Sequence, residues 1–183
     1  MQRFQTAAIV GLRMLIGWHF LYEGLAKLTN PYWTAAGYLA DSQGLFAGIF
    51  RDLAASPGAV TFIDYANAWG LTLIGAALLF GLLARPAVIA GIAVLALYYI
   101  AAPPWPGLTY GMPAEGSYLI VNKVLIEIAA LVVLLAFPTS RRYGLDRLLF
   151  GPAPARADVT VRVKPAPAGI ATPTTEPAEE VHV

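Results

Sequence analysis

Residues 62–102 read FIDYANAWGLTLIGAALLFGLLARPAVIAGIAVLALYYIAA, and between Asn67 and Ala102 the only charged side chain is Arg85. A hydrocarbon core about 30 Å thick is crossed by roughly 20 residues of helix. Two such lengths fit here, 62–83 and 86–102, separated by Leu83-Ala84-Arg85-Pro86. Proline suits the first helical turn, where its missing N–H has no partner to lose. The stretch therefore predicts an antiparallel pair of membrane helices with a tight turn. The whole chain agrees: of its 183 residues 58% are hydrophobic and 13% charged, about half the charge density of an ordinary soluble domain. A soluble enzyme, a disordered regulator and a basic nucleic-acid binder are all poorly matched to that composition. With no Cys, disulfides, thiolate nucleophiles, Fe–S clusters and thiolate zinc sites are excluded together.

Two further segments have comparable length, 7–28 and 117–137, which gives an all-α, polytopic four-transmembrane-helix bundle. Arg13 interrupts the first, no small-residue cleavage site follows it, and three spans come after, so it reads as a retained helix and not a signal peptide. Arg3, Arg85, Arg141, Arg142 and Arg147 fall on one side of this topology and only Arg51 on the other. Basic loops stay in the cytoplasm. The expectation is a multi-pass membrane protein with both termini in the cytoplasm.

Residues 29–61 then lie outside. Leu45, Ile49 and Leu53 share one helical face with Phe46 and Phe50 beside it, which predicts an outer interfacial helix. The shorter outer segment, 103–116, opens Pro103-Pro104-Trp105-Pro106 and cannot continue a helix. The domain is expected to end near 150. Residues 151–183 are rich in Pro, Ala and Thr and are expected to be a disordered cytoplasmic tail, with Val159, Val161 and Val163 alternating as a short strand would.

Charge inside a bilayer costs about 2.5–3.5 kcal/mol per residue on insertion scales. Nearly all of it falls on the first and fourth spans: Arg13, His19, Glu23 and Lys27 on one, Asn122, Lys123 and Glu127 on the other. Arg13, Glu23 and Lys27 occupy an arc of about 80° with His19 beside Glu23. Glu23 lies roughly 7 Å below the outer end of its span and Lys123 roughly 9 Å below the start of the fourth. This depth match predicts that the first and fourth helices pack, Glu23 facing Lys123, His19 near Glu127, and Arg13 reaching Glu127 from below. A titratable His beside a buried carboxylate suits proton exchange with a quinone; the competing reading is an ion-pair network that only holds helices together. Trp18, Tyr22, Asn67, Trp69, Tyr98 and Tyr99 either line an outward aromatic pocket or belong to the interfacial belt. Asp64 reads as solvated. No metal centre and no covalently bound cofactor are expected. No Walker loop, dinucleotide fingerprint or nucleophile elbow is present.

The same residues carry a family likeness. The run from Arg13 to Leu28, with Gly37-Tyr38-Leu39, Gly44-Leu45-Phe46, Asn67-Ala68-Trp69-Gly70-Leu71, the run from Gly75 to Arg85, Tyr98-Tyr99 with Pro103-Pro104, Glu115-Gly116-Ser117-Tyr118, Val121-Asn122-Lys123-Val124-Leu125-Ile126-Glu127 and Gly144-Leu145-Asp146, resembles the DoxX family over about residues 5–150. The resemblance implies a four-helix membrane protein similar to the DoxD-like small subunit of thiosulfate:quinone oxidoreductase, which works with a second subunit and membrane quinone. Expected partners are lipid, a second oxidoreductase subunit or a soluble redox protein, and further copies of the chain; no nucleic acid is expected. A non-enzymatic scaffold for redox proteins is the alternative, with a small-solute carrier behind it. Four helices without a broken pair or inverted repeat argue against the carrier.

Overall fold

Three long helices dominate the structure, a computed structural model that describes residues 3–111 and 119–151. They are α1 (Arg3–Thr29), α4 (Pro57–Phe80) and α5 (Ala84–Ala101), each long and apolar enough to cross a bilayer. Between α1 and α4 come two short helices, α2 (Ala36–Ala40) and α3 (Ala47–Ala54). After α5 follow α6 (Lys123–Ala136), α7 (Ser140–Tyr143) and α8 (Asp146–Phe150). Among the described residues every element is a helix. These residues belong to the first of two units into which the chain divides, Met1–Ala153. The tail beyond 151, and the strand expected at Val159–Val163, lie outside the described residues.

The chain is a membrane protein, and three helices among the described residues have crossing length. The second begins at Pro57, five residues ahead of the apolar run, with Pro57 in the first turn behind Ser56, a placement proline favours. The fourth segment departs further from expectation. It was placed at 117–137, and its first two residues lie outside the described ones. Leu119 has a φ of 62°, and the helix starts only at Lys123. There Asn122 Oδ1 accepts the Leu125 N–H at 2.9 Å, the usual role of an N-cap asparagine. Its 14 residues span about 21 Å. Lys123 is therefore the first helical residue instead of lying a turn and a half down.

The α4–α5 hairpin turns at 81–83. Gly81, with a φ of +64°, donates to Leu78 O at 3.3 Å, and the next N–H, of Leu82, to Ala77 O at 2.9 Å. This left-handed helix ending needs a residue without Cβ. Pro86 falls in the first turn of α5, as its chemistry predicts.

α1 packs chiefly along α4, through glycines. A Cβ on Gly17 would stand 2.7 Å from Leu79 N, one on Gly24 would meet the Thr72 backbone, and one on Gly75 the Leu21 backbone. Small residues let membrane helices approach until backbone touches backbone, which is how they associate without hydrophobic gain. α5 joins α4 on one side and α6 on the other. The centre is filled by Ile16, Phe20, Leu71, Ile74, Leu78, Val88, Leu95, Leu131 and Leu134. The packing of the first helix on the fourth segment is thus a smaller contact than that on α4, and it includes the His19–Glu127 pair.

Outside the bundle, the link between α2 and α3 is stitched to the 101–111 loop. Ser42 Oγ donates to Ala101 O at 2.6 Å, Gly111 N–H to Asp41 Oδ2 at 2.7 Å, Tyr110 OH to Pro103 O at 2.8 Å, and Gln43 Nε2 to Thr109 O. The interfacial helix is shorter than expected. Leu45 and Phe46 precede α3, yet both remain exposed with Ile49. Asp64 is not simply solvated, since its Oδ1 accepts the Ala35 N–H at 2.7 Å and ties this outer layer to α4.

Candidate functional site

One cavity of about 700 Å³ lies between α1, α4, α5, α6 and the outer loops, within the size range of small-molecule sites. Its floor is apolar, formed by Phe20, Leu71, Leu95 and Val124. On that floor His19 Nε2 stands 3.1 Å from Glu127 Oε1, joining α1 to α6. Phe20 abuts the imidazole edge-on with ring centroids 6.3 Å apart. The two polar side chains keep 35% and 19% of their surface exposed, so both are within reach of a ligand in the cavity.

One turn up α1, Glu23 Oε2 pairs with Lys27 Nζ at 3.4 Å, the i,i+4 spacing. The ammonium also sits 5.3 Å from the Trp33 ring centroid and 5.9 Å from that of Tyr98, cation–π distances. Tyr98 is held in turn: Asn67 Nδ2 donates to its hydroxyl, and Tyr38 OH donates to its carbonyl oxygen at 2.8 Å. Burial pushes the Tyr38 phenol up from its ordinary range, helped by the nearby Tyr98 and Tyr110. The Tyr110 phenol is also raised, by burial and then by Asp41. Both therefore stay neutral donors at physiological pH. Asp41, Thr109 and Tyr110 form the upper wall, with Asn122 and Lys123 at the start of α6.

Of the residues the sequence singles out, His19, Glu23, Lys27, Tyr98, Asn122, Lys123 and Glu127 line this one cavity. The His19–Glu127 contact forms as predicted. Glu23 closes its ion pair within α1, not across to Lys123, because Lys27 is on the same helix face while α6 begins level with the cavity wall. Arg13 does not approach Glu127. It is 4% exposed, and its guanidinium donates to Thr139 Oγ1 at 3.2 Å and to Tyr143 O at 2.8 Å, with the Asp146 charge nearby. Six residues below His19, it has polar partners at its own depth. Trp18 and Trp69 are 59% and 52% exposed and face away from the cavity lining, as does Tyr22. Trp33, Tyr38, Asp41, Trp105, Thr109 and Tyr110 were not foreseen as site residues. They come from loops and a five-residue helix, where no periodicity announces a shared wall; the cluster of aromatics around Pro103-Pro104 was the one visible signal.

No curated protein and no solved structure matches the chain. The DoxX family model matches residues 8–103, just over half the length. The matched stretch takes in α1 to α5, with His19, Glu23, Lys27 and Tyr98, and stops short of α6, so the likeness is established over a shorter range than 5–150. On this match the chain belongs to the DoxX family.

Proposed function

We propose that this protein is the integral membrane subunit of a quinone-linked redox system, similar to the DoxD-like subunit of a thiosulfate:quinone oxidoreductase and working with a second subunit. The observation that carries the reading is the His19–Glu127 pair at 3.1 Å on the floor of a largely apolar 700 Å³ cavity. A quinone gains two protons with two electrons, and an imidazole hydrogen-bonded to a carboxylate can hold and pass a proton at Nε2 or Oε1. Electrons would come from the partner subunit. Lys27 and Lys123 supply positive charge for an anionic quinol or substrate. In this reading α6 is the fourth crossing segment, reaching from the cavity to the end where Arg85, Arg141, Arg142 and Arg147 gather. That end faces the cytoplasm of a bacterial or archaeal cell.

Gentle detergent purification followed by solvent extraction and mass spectrometry is expected to yield bound quinone. Glu127→Gln keeps the shape and removes the proton-accepting charge. It is expected to lower quinone-linked turnover about 100-fold or more, the usual cost of losing a general acid–base group, with unchanged thermal unfolding. Full activity in that variant would overturn the proposal.

A further inference from the structure

The cavity and the packing beneath it are unlike at their two ends. Upward, the lining climbs from Glu127 and His19 to Thr109, an exposed residue of the outer loop. Downward, it stops on a dry layer. Leu78 and Leu131 have no exposed surface, Phe20 has 2%, Val88 3% and Leu134 5%. The rise of seven residues from Glu127 to Leu134 makes this layer about 10 Å thick. At its far side the gap beside Arg13, Ala84, Leu134 and Thr139 amounts to about 10 Å³, at the lower limit for a single water. No file of water fits there.

The titratable groups follow the same asymmetry. His19, Glu23 and Lys27 on α1, Lys123 and Glu127 on α6 and Tyr98 on α5 all line the cavity, with Asp41 and Tyr110 above them; α4 presents Leu71 to it. On the closed side the first ionisable group is Arg13, and a guanidinium does not release its proton in proteins, so it relays nothing.

We propose that the His19–Glu127 pair exchanges protons and small water-soluble species with one compartment only, the one at the Thr109 end, opposite the arginine cluster. The proposal takes its chemistry from the quinone reading but its geometry from the packing alone. Its consequence is directional: protons released or taken up at the pair appear on that side of the membrane.

The chain has no Cys, so single cysteines can be read in the natural background. Thr109→Cys and Arg85→Cys define the two sides in sealed, oriented vesicles carrying the full chain. Glu127→Cys and the milder Val124→Cys report on the cavity, and Val88→Cys on the dry layer. A membrane-impermeant thiol reagent is expected to modify positions 124 and 127 from the side that modifies 109, and not from the side that modifies 85. Position 88 is expected to stay unmodified from both. Modification of 124 from the Arg85 side, from both sides or from neither would overturn the proposal. Val124→Cys keeps the test decisive if Glu127→Cys fails to fold. Labelling needs no quinone, so a preparation that carries none counts against the redox reading and leaves this result standing.

Discussion

A single methyl group is enough to test the contact that joins α1 to α4. Gly24 and Gly75 each face backbone of the opposite helix, so a Cβ meets atoms that cannot rotate away. Gly24→Ala and Gly75→Ala are each expected to destabilise the protein by about 1–3 kcal/mol, the range for overpacking. Gly70→Ala, on α4 but with open space around it, is expected to be neutral or slightly stabilising, because alanine is the better helix residue. Unfolding in mixed detergent micelles measures all three. Tyr38 offers a second test at this scale. Its phenol is raised in the folded protein, so the folded state holds its proton longer than the unfolded one. The stabilisation is complete below the ordinary tyrosine value of about 10 and is lost as pH rises above it. Alkaline titration is expected to weaken the fold from that point, and Tyr38→Phe to flatten the decline.

Asp146 belongs to the scale of elements, since it fastens α8 to the beginning of α5. Its carboxylate accepts the Leu83 N–H at 2.6 Å and the Ala84 N–H at 3.2 Å, and its own N–H donates to Gly81 O at 2.8 Å. Arg13 docks on Tyr143 just before it. Asp146→Ala leaves the Leu83 and Ala84 N–H groups, the second of them buried, without an acceptor and is expected to cost about 1–3 kcal/mol. Combined with Arg13→Gln it should cost less than the sum of the two singles, a coupling of about 0.5–3 kcal/mol for groups in one network. These elements also mark how far the sequence can be read. The long helices were legible because 18 or more apolar residues have few other uses, and the hairpin because Pro86 sits where a helix begins; Gly81, read as part of the second span, ends α4 instead. The His19–Glu127 contact was legible from depth, which is fixed by rise per residue. The short α6 was not, because the apolar residues at 119–121 continue its hydropathy while Asn122 ends its hydrogen bonding. The partners of Arg13 were not either, since Thr139 and Tyr143 look like ordinary residues just past a helix. Nor could the upper wall be read, because Asp41, Thr109 and Tyr110 meet only after the loops fold over the bundle.

For the molecule as a whole, one long-range contact also imposes an order on synthesis. Arg13 emerges early, but its acceptor Thr139 comes 126 residues later, which at about 5–20 residues per second is roughly 6–25 s of translation. Throughout that interval the first helix carries a guanidinium whose final partners do not yet exist, and it must hold it near the lipid headgroups at the edge of the bilayer. Settling of this helix to its final depth therefore waits until Thr139 and Tyr143 have been made, and quality control has a simple sign of incompleteness to read. A chain ending at 138 is expected to turn over faster in cells than one ending at 151, as pulse-chase decay would show. Arg13→Met should narrow the difference, because a first helix without that charge has nothing left to wait for.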